Sequence, residues 1–296
     1  PASARPNLNV MVNAAVTRIT WASQGANGTV TATGVEFSCN GQIGTVRAKR
    51  EVILSGGSVG SPQVLMLSGV GPRDVLESVG VDVVVELPGV GQHAQDHLVS
   101  FSVLPTEGLV ELLLSLNAPG QVMVQAALQI PFSQAGLYVN STSVFGHPVI
   151  DPQYYSHPAD VTVIRQGLKI ARTIGQTSPL SNILGNEISS GLSVSTDEEW
   201  EEWLRSNSVT EYHPSSTCAM MPFEMGGFMG FVTNMRVVDA SIFPLAMSSH
   251  VRPSPFSPLP FHLFSLALWR WIAHGANVRP RRTSCYHHSG RSESAW

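Results

Sequence analysis

The stretch Glu51-Val52-Ile53-Leu54-Ser55-Gly56-Gly57-Ser58-Val59-Gly60-Ser61-Pro62-Gln63-Val64-Leu65-Met66-Leu67 carries the architecture of this 296-residue chain. Its first four residues close the stretch Val46–Leu54, which by its apolar, β-branched end reads as a buried strand. Glycines and serines follow, and then a helical run from Ser61 to Leu67 with Pro62 in a first-turn position. Pro72–Val79 reads as a short helix and Val81–Glu86 as a strand. Strand, Gly-rich turn and helix in that order indicate an α/β layer architecture. Upstream, Asn7–Thr20 and Thr29–Phe37 read as strands around a turn at Gly25-Ala26-Asn27-Gly28. Downstream, Leu109–Ala127 is apolar without clean periodicity. Ala159–Ile174 is an amphipathic helix, and Thr196-Asp197-Glu198-Glu199 caps another that runs through Arg205.

A chain of this length buries a sizeable core as one large domain or two ordinary ones. Only 13% of residues are charged against 43% apolar, which excludes bulk disorder, and a net charge of −4 gives no footprint for nucleic acid. The charge is unevenly placed: from Val251 onward there are six arginines and one acidic residue. That break is expected to mark a divergent, poorly ordered tail. The apolar stretch Pro255–Ala273 carries Pro258, Pro260, His262 and Arg270, so no membrane span is expected there. Cys39, Cys218 and Cys285 have neither metal-ligand spacing nor a disulfide framework, and buried thiols and no metal are expected. No signal peptide opens the chain, although Asn27-Gly28-Thr29 and Asn140-Ser141-Thr142 are glycosylation sequons that suit a secreted parent.

Two constellations carry chemistry. Gly56-Gly57-Ser58-Val59-Gly60 fits the G-x-S-x-G nucleophile elbow in a strand-to-helix context. A serine hydrolase would then use Ser58, an acid such as Asp151 or Asp160, and His213. The bland reading of the same turn is a backbone that approaches a ligand or another strand closely. The second constellation is His213, in Glu211-Tyr212-His213-Pro214-Ser215-Ser216-Thr217-Cys218, and His250, in Ser248-Ser249-His250. They bracket the strand-like run Arg236-Val237-Val238-Asp239-Ala240-Ser241, so two imidazoles suited to proton transfer could share one site.

The longer pattern Gly57-Ser58-Val59-Gly60-Ser61-Pro62-Gln63-Val64-Leu65-Met66-Leu67-Ser68-Gly69-Val70-Gly71 closely resembles the second signature of the glucose-methanol-choline (GMC) oxidoreductases. Asn7–Ile19, Leu87-Pro88-Gly89-Val90-Gly91-Gln92-His93-Ala94-Gln95-Asp96-His97, His213-Pro214 and Val237–Pro244 resemble further segments of that family, with His93-Ala94 standing where Asn-Leu is usual. The likeness spans residues 7–104 and 148–250. It implies an α/β fold, α+β overall, built as the C-terminal portion of an FAD-binding Rossmann-like domain with a truncated substrate-binding domain. The divisions implied are 1–104 (FAD-binding), 105–210 (substrate-binding), 211–250 (return to the FAD-binding domain) and 251–296 (the tail). It also implies FAD as cofactor and a small alcohol or sugar as substrate, with no nucleic-acid or membrane partner. Alcohol oxidation requires loss of the hydroxyl proton as a hydride leaves the same carbon for flavin N5. By resemblance His213 is the base and His250 the partner that orients the substrate oxygen. Val16 would meet the adenine through its backbone, while Asp239 and Ala240 would lie against the flavin and its phosphate-bearing chain. A histidine at position 250 resembles the aryl-alcohol, pyranose and glucose branches.

Four departures qualify the likeness. No G-x-G-x-x-G occurs in the chain, so the usual pyrophosphate cradle is missing from it. The interval from Leu104 to Val149 is short for the family's substrate-domain sheet, Gly226–Met235 replaces a longer approach to Asp239, and the residues after His250 lose the likeness. The chain is therefore expected to be a fragment that binds FAD poorly and turns over no alcohol. A non-catalytic remnant stays open beside the hydrolase as an alternative.

Overall fold

The computed structural model describes residues 7–22, 25, 28–100, 110–222 and 232–247. Contacts divide these into two compact units, one formed by residues up to Val52 with Val232–Met235, the other by the remainder.

The first unit is an antiparallel sheet of β1 (Ala14–Trp21), β2 (Val30–Cys39) and β3 (Gln42–Arg47). β2 and β3 form a hairpin through Asn40-Gly41, both at positive φ (51° and 79°), the two-residue turn whose twist matches that of the flanking strands. The run read as one strand over Val46–Leu54 is therefore two, β3 and the separate β4 (Val52–Leu54). Val16 is half-buried on β1 opposite Phe37, at a register shift before Arg18. Cys218 is a buried free thiol, and Cys285 lies outside the described residues.

In the second unit, α1 (Gly57–Leu67) starts four residues earlier than expected, with Gly57 at φ 74°. Pro62 thus sits inside the helix rather than in its first turn. A proline has no N–H for the carbonyl four residues back, which here belongs to Ser58. The Thr217 hydroxyl donates to that Ser58 oxygen instead, at 2.7 Å. The gap in the helix ladder is thereby an attachment point for the segment that follows His213.

After α1 come β5 (Val70–Gly71), α2 (Arg73–Ser78) and β6 (Val85–Glu86), with β5 and β6 parallel. β7 (Leu98–Ser100), β8 (Val110–Ala118) and β9 (Gln121–Leu128) then enter a four-stranded sheet. β10 (Gly136–Tyr138) and β11 (Val149–Asp151) pair antiparallel, and α3 (Pro158–Gly175), α4 (Asp197–Asn207) and β12 (Val209–Thr210) follow. The four-stranded sheet has the order β12-β7-β9-β8. Within the interval from Leu104 to Val149, β8 and β9 form a β-hairpin, with Gly120 at φ 78° in its turn. α3 and α4 cover this sheet. Leu98, Val110, Ala126 and Leu128 pack with Val161, Ile164, Leu168, Trp200 and Leu204 in one buried cluster. The cap expected at Thr196 forms as a reciprocal capping box with Glu199.

The chain then contributes β13 (Val232–Thr233), parallel to β2, and β14 (Met235–Val237), which pairs with β4. Among the described residues no helix is long and apolar enough to cross a membrane. His250 and the tail from Val251 lie outside the described residues.

Candidate active site

Two antiparallel contacts bring His213 to its surroundings. Gln95 and Ser215 exchange backbone hydrogen bonds (3.2 and 2.8 Å), and the Glu211 N–H donates to the His97 carbonyl at 2.8 Å. The His213 N–H donates to Asp96 Oδ1 at 2.9 Å, while Asp96 Oδ2 accepts from the Tyr154 phenol at 2.8 Å and from the Thr210 hydroxyl. Burial and the charge of Asp96 both push the Tyr154 phenol well above its ordinary pKa. Tyr212 (φ 61°) and Ser216 (φ 72°) take left-handed conformations on either side of the imidazole. Sharp turns therefore aim His213 inward, where it is 3% exposed.

There His213 Nδ1 lies 3.0 Å from Nδ1 of His97, with the rings perpendicular. A neutral imidazole carries one N–H, so one ring of this pair donates and the other accepts. Glu211 Oε2 lies 3.5 Å from His97 Nδ1 and 3.6 Å from His213 Nδ1. His97 is fully buried, and its Nε2 has no hydrogen-bond partner among the described residues. Neither His97 nor Glu211 is assigned a role by the sequence reading. Glu211 stands two residues before His213 in the sequence, whereas His97 reaches it by a pairing across 116 residues, for which the available signal was the Asp96-His97 pair in the segment that precedes β7.

Ser58 is not arranged as a nucleophile. Its hydroxyl is buried and donates to the Pro214 carbonyl at 2.6 Å, so its proton is held by an amide oxygen. Asp160 accepts from the N–H groups of Phe132 and Ser133 (2.8 and 2.9 Å), and Asp151 sits on exposed β11 next to Gln153. The elbow is thus a close-packing turn: Gly56 faces the Gly60–Ser61 backbone, whereas added Cβ atoms at Gly57 and Gly60 would meet open space.

Asp239 caps a single 3₁₀ turn (Ala240–Ile242) and binds the same turn of α1. Its Oδ2 accepts from Gly57 N–H (3.0 Å) and the Ser61 hydroxyl (2.6 Å), and its Oδ1 from the Ser241 N–H (2.9 Å) and hydroxyl (2.5 Å). Ala240 is half-buried, and its carbonyl accepts from the Ser216 N–H at 3.2 Å. Further along, Cys218 N–H donates to Ser241 and Met220 N–H to Ile242, so the two segments run side by side. His213, Asp239 and Ala240 are all anchored on the framework of α1 and the segment after β12.

Comparison with known proteins follows the same segments. Two GMC oxidoreductase family models match, the N-terminal one over residues 1–99 and the C-terminal one over 131–254. A GMC oxidoreductase family protein, Mala s 12 of Malassezia sympodialis, is 32% identical over 85% of this chain and 54% of its own length. Human mitochondrial choline dehydrogenase is 31% identical over 85% of this chain and 52% of its own. The chain thus spans about half the length of the curated relatives it matches. Among solved structures, pyridoxine 4-oxidase from Mesorbium loti superposes with a TM-score of 0.72 at 22% identity, over 89% of this chain and 58% of the other. A fungal aryl-alcohol oxidase gives 0.70 at 20% identity, over 80% and 57%.

Proposed function

Because this chain belongs to the GMC oxidoreductase family, we propose that it serves FAD-dependent oxidation of CH–OH groups in small alcohols or sugars, with His213 as general base. The observation that carries this reading is the buried His213, held by Asp96 through its backbone and by His97 through Nδ1. With Nδ1 bonded to His97, Nε2 is the ring nitrogen assigned to the substrate hydroxyl in this reading. When His213 Nδ1–H donates to His97, Nε2 carries a lone pair and can take the hydroxyl proton. His250 is the proposed partner that orients the substrate oxygen.

The residues present fit an FAD. Gly57 and Gly60 leave backbone open to close approach, Ala240 adds no bulk, and Asp239 holds their two segments together. Asp239 would act through that turn rather than through a free oxygen, since both its oxygens accept bonds from the protein. Val16 is the proposed backbone contact for the adenine. When bound, FAD supplies the acceptor for the hydride.

The test is anaerobic addition of a primary aryl alcohol, choline or glucose to flavin-loaded protein, followed by the loss of flavin absorbance. His213→Asn is expected to retain flavin and to slow bleaching by about 10²–10⁴-fold, the usual worth of a positioned base. Bleaching at the parental rate in that variant would remove His213 from the role. Bleaching by a donor without a CH–OH group and by none of these three would remove the substrate class, whereas no bleaching at all is the outcome expected of this chain alone.

A further inference from the structure

The cluster at His213 has a geometry that proton sharing alone does not require. Its three donor atoms, Nδ1 of His97, Nδ1 of His213 and Oε2 of Glu211, form a triangle with edges of 3.0, 3.5 and 3.6 Å. Ligands on a tetrahedral zinc at bond lengths of about 2.0–2.1 Å stand roughly 3.3–3.4 Å apart. The triangle brackets that spacing, and a cation set just out of its plane would reach all three atoms. We propose that His97, Glu211 and His213 form the binding face for one zinc-class divalent cation, with the fourth position left to water or an exogenous ligand.

The donor set selects the ion. Two imidazole nitrogens and one carboxylate suit zinc, cobalt and copper, whereas calcium and magnesium require more oxygen ligands. The face is also held from outside. The His213 N–H is bound by Asp96, the Glu211 N–H by the His97 carbonyl, and Glu211 Oε2 by the Gln129 amide at 3.3 Å. All three side chains are at least nine-tenths buried, with exposures of 0, 3 and 9%. Such support fixes ligand orientation before any ion arrives.

A consequence rests on the proposed function. An imidazole that ligates through Nδ1 keeps its proton on Nε2 and cannot accept another there. Cation binding would therefore inactivate His213 as a base, making the site an inhibitory one.

The test uses the purified chain after chelator treatment and without flavin or alcohol. Cobalt(II) is titrated in, the visible absorption of tetrahedral cobalt is recorded, and zinc is then added in competition. One equivalent is expected to give the intense tetrahedral band, zinc to abolish it, and magnesium to leave it unchanged. Glu211→Gln and His97→Gln are each expected to weaken binding at least about 100-fold. Circular dichroism confirms folding of each variant, and the zinc-dependent rise in Tm of the parent chain should vanish in both. Absence of the band, or affinity within twofold of the parent in a folded Glu211→Gln variant, would overturn the site. If the band forms as described yet zinc leaves alcohol-dependent bleaching intact, the site stands and the role given to His213 is what fails.

Discussion

The carboxylate of Asp239 accepts two hydrogen bonds at each oxygen, joining the first turn of α1 to the 3₁₀ turn at Ala240. Bonds to a charged acceptor are the stronger kind, and removing that acceptor leaves buried donors such as the Ser61 hydroxyl without a partner. Asp239→Ala is expected to lower stability by about 2–4 kcal/mol, read as a shift of the urea midpoint at constant slope. At this scale the sequence was informative about single residues and silent about their company. His213 was recognisable from His213-Pro214 and its small and hydroxyl neighbours. Nothing local to it announces His97, because a side chain brought in by tertiary pairing leaves no mark in the flanking residues. His93 shows the converse: φ is 59° where the family usually has asparagine, so the position demands a left-handed conformation that histidine tolerates.

Among the elements, α1 depends most on a distant residue. Pro62 deprives the Ser58 carbonyl of its helical donor, and the Thr217 hydroxyl replaces it. Thr217→Val keeps the shape and removes the donor, so it is expected to cost about 1–3 kcal/mol in urea unfolding; a loss below a few tenths would contradict this account. α4 depends on its own first turn. Thr196 accepts from the Glu199 N–H at 3.2 Å while Glu199 accepts from the Thr196 N–H at 2.9 Å. Thr196→Ala should therefore lose about 1 kcal/mol by the same measurement. Both α3 and α4 were legible because a 3.6-residue apolar stripe and a capping box are local properties. The hairpin of β8 and β9 was not. Its strands are apolar on both faces in places, so no two-residue alternation stands out, and the turn at Pro119-Gly120 was the remaining signal. Pro62 was placed one turn too early because a proline near a helix start is the common case.

For the molecule as a whole, the buried acids that titrate late set the response to pH. Burial pushes the Cys218 thiol up from 9.0 to about 12 and the Tyr155 phenol up from 10.0 to about 12. The folded chain keeps these protons where the unfolded chain releases them. Their contribution to stability is full below the ordinary values and is lost as pH climbs through 9–10 toward 12. The urea midpoint is expected to fall steadily between pH 9 and 11, and Cys218 should resist alkylation at pH 8.5 until the chain is unfolded; a flat midpoint or rapid labelling of folded protein would contradict this.

The bonds that complete the site also set when it can exist. Asp239 lies 182 residues beyond Gly57, and Pro214 lies 156 beyond Ser58. A ribosome adding about 5–20 residues per second needs on the order of ten to forty seconds to span the longer of these intervals. Throughout that time the glycine turn, α1 and the first core helix can form from local contacts, while His97 waits for the segment that carries His213. Synthesis halted before His213 would therefore leave α1 and α3 without the paired imidazoles, and a halt before Asp239 would leave the first turn of α1 without its carboxylate anchor.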